Sequence, residues 1–181
     1  MSEVTAVPLR PIKKGALVIL WAGLALIAVT GVAVAFKGTE KQAAAARFLT
    51  QNAKNPGVVT TSSGLQYKVL EKGAGAKPTL SDVVLADYVG MLDNGKVFES
   101  TLGSRPAVLP VDRVVPGFSQ GLRLMSPGAY YRFWIPPQLG YGAGGQGEAI
   151  PPNAVLIFDI HLLAVQPQQP GVGGITAPNG G

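Results

Sequence analysis

The stretch "VVLADYVGMLDNGKVFES", residues 83–100, contains the pattern of a β-hairpin. Val84, Ala86 and Tyr88 fall at every second position, so an extended chain would place them on one face. The segment Asp93-Asn94-Gly95 is a turn signal, and the extended pattern resumes in "KVFES". The stretch therefore predicts two antiparallel strands.

The same alternation recurs in "LQYKVL" (65–70), in "YYRFWI" (130–135) and from Leu156 to Leu162. Only "PGFSQGLRLM" (116–125) reads as a helix, with a proline near its start and Gly128 beyond its end. These elements predict an α+β domain over residues 58–165, with an antiparallel sheet of about five to six strands wrapped around one short helix.

Residues 15–36 form an uncharged and almost wholly apolar run. As a helix it would be about 33 Å long, enough to cross a bilayer. Basic residues are concentrated in residues 10–14, so we expect residues 1–14 in the cytoplasm and the rest of the chain on the periplasmic side of the inner membrane. The alternative is a signal peptide cleaved near Ala35, which would release the protein into the periplasm. The length of the run favours a retained anchor.

The segments that flank the domain have simple compositions. Residues 37–57 include four consecutive alanines and predict a short helical linker. We interpret it as a spacer rather than a dimerising coiled coil, because no heptad pattern is sustained. Residues 166–181 are rich in proline, glutamine and glycine, which predicts a disordered tail.

Composition excludes several classes of function. The chain has no cysteine and one histidine, so thiolate and multi-histidine metal sites are excluded and no cofactor is expected. The net charge of +5 comes entirely from residues 1–55, because eight basic residues meet eight acidic ones from Pro56 onward. The domain therefore lacks the basic bias that nucleic-acid binding requires.

The loop "PPQLGYGAGGQGEAIPPN", residues 136–153, contains a Gly-x-Gly-x-x-Gly pattern. It is not a dinucleotide fingerprint, since Pro151-Pro152 follows where a helix should begin. No Walker motif occurs either. Paired prolines at both ends, with Tyr141 and Ile150 between them, instead predict an ordered and functional loop.

Four segments carry a family resemblance: "ADYVGMLDNGKVFES", "RVVPGFSQGLRLMSPG", "IPPQLGYG" and "AIPPNAVLIFDIHLL". Their content and order resemble FKBP-type peptidyl-prolyl cis-trans isomerases, and "TTSSGLQYKVLEKGAGAKP" resembles the entry to the catalytic domain in the bacterial Mip-like branch. The resemblance implies an FKBP-like fold over residues 58–165. The preceding segment resembles only the end of that branch's helical arm.

The resemblance also implies the residues of an apolar substrate groove. Tyr141, Phe158, Glu99 and Val115 match catalytic positions; the Tyr141 hydroxyl and the Val115 N–H would hold substrate carbonyls, and Glu99 would orient its neighbours. The substrate-binding positions are Tyr88, Phe98, Val114, Val115, Phe118, Ile150 and Phe158. Four residues depart from the common pattern: Glu99, Phe118, Ala107 and Ala149. They imply a wider and shallower groove.

The implied activity is isomerisation of X-Pro bonds in exported proteins. The implied partners are proline-containing polypeptides and FK506-like macrolides, with the membrane contacted through the N-terminal helix. A non-catalytic holdase that uses the same groove is the alternative. Without the resemblance, the apolar groove positions would be assigned to the core, Tyr88 would fit either role, and His161 would be structural rather than catalytic.

Overall fold

A computed structural model describes residues 38–167 of the chain. Helix α1 covers residues 38–52, and helix α2 is Pro116–Leu122. The strands are β1 (Val58–Thr60), β2 (Gln66–Glu71), β3 (Val83–Leu92), β4 (Val97–Ser100), β5 (Ala107–Pro110), β6 (Tyr130–Ile135) and β7 (Leu156–Gln166). Two short 3₁₀ helices are Val111–Arg113 and Pro137–Leu139.

The segments predicted as cytoplasmic (1–14) and transmembrane (15–36) lie outside the described residues, as does the predicted tail from residue 168 onward. Within residues 38–167, no helix is both long enough and apolar enough to cross a membrane.

The strands form one antiparallel sheet with few helices around it, as the sequence predicted. Within the described residues the sheet has seven strands in the order β1-β2-β6-β7-β3-β4, and β5 also pairs with β3. The predicted number of five to six strands was therefore too low. The strands β1 and β5 have three and four residues, which is too short for an alternating pattern to be recognised.

The main core lies between one face of the sheet and α2. Every second side chain of β3 is buried, as are Leu156, Phe158, Ile160 and Leu162 of β7. Helix α2 approaches the sheet closely because Gly117 faces it, where a Cβ atom would collide with Ile135. The helix ends at Leu122 rather than at residue 125, because the N–H groups of Leu124 and Met125 bond to carbonyls three residues back instead of four.

Helix α1 packs on the opposite face of the sheet. Ala45 is buried in a second apolar cluster with Trp134, Val155 and Ile157. Next to this cluster, Asn52 donates to Gln66 Oε1 at 2.9 Å, and Gln66 Nε2 donates to the Leu49 carbonyl at 2.9 Å. Part of the predicted linker therefore contacts the domain, through Ala45, Phe48, Leu49 and Asn52.

Candidate functional site

A cavity of about 350 Å³ opens beside the N-terminal end of α2. It lies where three parts of the chain meet: the sheet, the segment that joins β5 to α2, and the glycine-rich loop. Its lining residues are Tyr88, Glu99, Leu109, Arg113, Val114, Val115, Phe118, Tyr141 and Phe158. We call this cavity the groove.

The floor of the groove is built from aromatic rings packed edge to face. The centroids of Phe118 and Phe158 are 4.8 Å apart with perpendicular ring planes, and Tyr88 lies 5.6 Å from Phe118. Phe98 also packs edge to face against Phe158, with ring centroids 5.6 Å apart. Edge-to-face packing is the preferred arrangement of aromatic pairs, so these rings hold one another in place. The result is a rigid and apolar surface.

Gly90 makes this ring arrangement possible. It pairs with Phe158 on β7 and with Glu99 on β4. A Cβ atom at Gly90 would lie 2.7 Å from the Phe158 ring and 2.8 Å from the Phe98 ring. Because carbon atoms normally pack at about 3.5–4.0 Å, only glycine fits here. A glycine inside an otherwise apolar strand is a sequence signal of such close approach, although Gly90 is not among the residues predicted for the site.

A charged hydrogen bond fixes one side of the groove. The Tyr88 hydroxyl donates to Glu99 Oε1 at 2.6 Å. Burial raises the pKa of Tyr88 above its ordinary value, and the bond to Glu99 raises that pKa further. Tyr88 therefore stays protonated at neutral pH and donates permanently. The Tyr88 backbone is held as well, because its N–H donates to the Thr101 hydroxyl at 2.9 Å.

The opposite wall is the chain that enters α2. Val115 is the residue before the helix, and its carbonyl accepts from Ser119 N–H at 3.0 Å. Among the described residues, the N–H of Val115 donates to no other backbone group. This amide is at the groove wall, so it is available to a carbonyl that enters the groove.

The glycine-rich loop carries Tyr141 and is ordered by its own backbone hydrogen bonds. Gly145 N–H donates to the Tyr141 carbonyl at 3.2 Å, and Gln146 and Ile150 exchange two bonds at 2.8 and 3.1 Å. Gly145 has a φ of +67°, and a Cβ atom there would collide with the Ile150 carbonyl. The loop therefore presents Tyr141 in one place, with 37% of that side chain exposed at the mouth of the groove.

Most residues predicted from the sequence lie together in the groove. Seven of them line it: Tyr88, Glu99, Val114, Val115, Phe118, Tyr141 and Phe158. Phe98 packs against Phe158, and Ile150 is buried in the main core. Neither is among the lining residues. Leu109 and Arg113 line the groove and were not predicted.

The other singled-out residues lie elsewhere. Ala107 packs against the main core, and Ala149 is exposed in the glycine-rich loop. His161 is on the opposite face of β7 from Phe158, where its ring meets that of Tyr130. In the part of the chain that the structure describes, no group of three or more His, Cys, Asp or Glu side chains could hold a metal ion.

Comparison with known proteins places this chain in a family. Residues 75–163 match the model of the FKBP-type peptidyl-prolyl cis-trans isomerase, and residues 32–69 match the domain found amino-terminal to such isomerases. The crystal structure of a peptidyl-prolyl cis-trans isomerase from Pseudomonas syringae is 34% identical, with a TM-score of 0.68, over 71% of this chain and 95% of that one. This chain belongs to the FKBP-type peptidyl-prolyl cis-trans isomerase family.

Other FKBP-type proteins support the same relationship. FkpA from Escherichia coli superimposes with a TM-score of 0.72 and 34% identity, over 87% of this chain and 75% of that chain. Outer membrane protein MIP from Legionella longbeachae is 43% identical over 72% of this chain and 56% of its own length. FkpA from Aeromonas hydrophila is 44% identical over 70% of this chain and 47% of its own. The chain spans about half the length of the curated relatives it matches.

Proposed function

We propose that this FKBP-type protein accelerates cis/trans isomerisation of X-Pro bonds in exported polypeptides. The observation that carries the proposal is the groove itself: an apolar aromatic floor of Tyr88, Phe118 and Phe158, open at Tyr141 and bordered by an unused backbone donor. Such a site suits a proline ring flanked by carbonyl groups. We propose that the site residues predicted from the sequence bind the substrate and act in catalysis in this groove.

The reaction needs rotation about an amide rather than a nucleophile. The barrier is about 18–20 kcal/mol because the planar amide loses its resonance when it twists, and each 1.36 kcal/mol removed gains about tenfold in rate. The planar form is more polar than the twisted form. A groove that replaces water with aromatic rings therefore disfavours the planar form more strongly, which lowers the barrier.

Hydrogen bonds would set the direction of the twist. The Tyr141 hydroxyl and the Val115 N–H lie on different walls of the groove, so they can hold two carbonyls of one peptide. Glu99 Oε1 accepts a hydrogen bond from the Tyr88 hydroxyl at 2.6 Å, which supports an orienting role for this carboxylate rather than that of a base. Phe158 would contact the proline ring from the floor, with Phe98 and Ile150 as supports behind the groove.

The experiment is two-dimensional exchange NMR on an X-Pro tetrapeptide with the full chain in detergent micelles. We expect exchange faster than in buffer, and we expect Tyr141→Phe to reduce the rate while the melting temperature stays within about 2 °C, because Tyr141 is partly exposed. Gln146→Glu serves as a control at an exposed position of the same loop. Peptide binding with no gain in rate would support the holdase alternative.

We also propose FK506-like macrolides as ligands of the same groove. Ala107 and Ala149, where the family resemblance implies larger side chains, do not line the groove, so they add no contacts to a bulky ring system and we expect weak binding. A titration followed by tyrosine and tryptophan fluorescence would measure it.

We further propose an envelope location, with residues 15–36 as the membrane anchor. The apolar run supports the anchor, and the name of the Legionella longbeachae relative is consistent with the cell envelope. Fractionation of the full chain, followed by N-terminal sequencing, tests this. A membrane-bound chain with an intact N-terminus supports an anchor, whereas a soluble chain that begins after Ala35 supports cleavage.

A further inference from the structure

Arg113 has no role in the reaction proposed above, although it lines the groove. Among the described residues that line the groove, it carries the only positive charge. It is the last residue of the 3₁₀ helix Val111–Arg113, and it directly precedes Val114 and Val115 of the wall.

The backbone holds Arg113 at a fixed position. Two residues earlier, Val111 is fully buried, and its N–H donates to the Asp82 carbonyl at 3.0 Å. Two residues later, Val115 is the N-cap residue of helix α2, and its carbonyl accepts from Ser119 N–H. The Cα atom of Arg113 is therefore anchored on both sides, while its side chain is exposed. Because Arg113 is one of the lining residues, its side chain borders the space that a bound chain would occupy.

The charge on Arg113 is not neutralised by a partner. Within residues 38–167 the ion pair joins Arg132 and Asp159, and Arg113 makes no ion pair and no side-chain hydrogen bond there. The nearest opposite charge in the lining is Glu99, whose Oε1 already accepts from Tyr88. A bound peptide therefore meets a cation that still lacks a partner.

We propose that Arg113 makes this protein prefer clients that carry an acidic side chain next to the isomerised proline. The inference rests on the proposed function and names its substrate class. A guanidinium suits this task because it pairs with carboxylates through two parallel hydrogen bonds and stays charged at every physiological pH. Because the chain from Pro56 onward has equal numbers of basic and acidic residues, the preference is local to Arg113.

The expected preference is modest, since the side chain is exposed. Ion pairs at exposed sites correspond to about a two- to fivefold change in an equilibrium or rate. We therefore expect kcat/KM to be about two- to fivefold higher for a peptide with glutamate than for its glutamine isostere. The difference should shrink in about 1 M salt, where the screening length falls to about 3 Å.

The test uses the full chain and exchange NMR, without a coupling protease whose own specificity would interfere. Two peptide series place the variable residue before the proline (Ala-Xaa-Pro-Phe) and after it (Ala-Leu-Pro-Xaa), with glutamate, glutamine or lysine as Xaa. We expect the glutamate preference in one series, because the arginine reaches only one side of the proline. Arg113→Gln should abolish that preference, and Arg113→Glu should transfer it to lysine.

Arg123→Gln is the matched control, since it removes the same charge from an exposed position beyond the C-terminal end of α2, outside the lining. It should leave the preference unchanged. Equal rates for all three residues in both series, or the same loss of preference in both arginine variants, would overturn the inference while leaving the isomerase proposal intact. No catalysis of any peptide would instead refute the proposed function.

Discussion

Replacing Gly90 with alanine tests whether the aromatic floor depends on the absence of one side chain. The new methyl group would lie 2.7 Å from Phe158 Cε1 and 2.8 Å from Phe98 Cε2 and Cζ. Ordinary carbon contacts are about 3.5–4.0 Å long, so both rings must retreat by about 1 Å. Phe158 is 4% exposed and has little free space to enter.

The size of the effect follows from this overlap. Overpacking of a filled core costs about 1–3 kcal/mol, which lowers the melting temperature by roughly 5–20 °C for a domain of this size. Misplacement of a substrate-positioning group by about 1 Å can cost up to about a hundredfold in rate. We therefore expect kcat/KM to fall by about ten- to a hundredfold at 10 °C, where the variant should remain folded.

The assay is exchange NMR for the rate and calorimetry for the melting temperature. Gly144→Ala is the matched control, because a Cβ atom there would meet nothing within 4 Å. The double variant Gly90→Ala with Phe98→Leu replaces one of the two rings with a smaller side chain, so it should regain part of the stability lost in Gly90→Ala. The coupling energy between the two substitutions should be at least about 0.5 kcal/mol. Wild-type rate and melting temperature in Gly90→Ala would refute the packing argument.

Three further predictions follow from other contacts. Gly145→Ala should lower kcat/KM with a smaller loss of global stability than Gly90→Ala, because the added Cβ atom collides with the Ile150 carbonyl inside the Tyr141 loop. Unchanged chemical shifts around Tyr141 in an NMR spectrum would contradict this. Gln66→Ala should lower the free energy of unfolding, measured by chemical denaturation, by about 1–3 kcal/mol, because Asn52 and the Leu49 carbonyl lose their hydrogen-bond partner. It should also speed hydrogen exchange in residues 45–52. Protection from exchange equal to that of the wild type would argue against docking of α1. Burial raises the pKa of Tyr88 in the folded state. The contribution of Tyr88 to stability is therefore complete below the unfolded-state pKa of about 10 and is lost as the pH rises above that value. Chemical denaturation between pH 8 and 11 should show this decline in stability, and Tyr88→Phe should make the decline less steep.

Much of the fold was predictable because it depends on local patterns. The alternation of Val84, Ala86 and Tyr88 identified a half-buried strand, and the segment Asp93-Asn94-Gly95 identified the turn after it. The number of strands was underestimated, since β1 and β5 form through pairing with neighbouring strands and have no alternating pattern of their own. The docking of α1 was missed because it depends on Trp134 and Ile157, which lie on the sheet face opposite the main core.

The candidate site, like the fold, was only partly predictable from the sequence. The sequence alone determined which aromatic and polar residues were available and, through the paired prolines at both ends of residues 136–153, that an ordered loop would carry Tyr141. Only the tertiary structure decided which of them share one cavity: it left Phe98 and Ile150 outside the lining, brought Leu109 and Arg113 into it, and joined Tyr88 to Glu99. The physical reason is that side-chain alternation specifies which face of a strand a residue occupies, whereas contacts between distant strands and loops depend on how the whole chain packs.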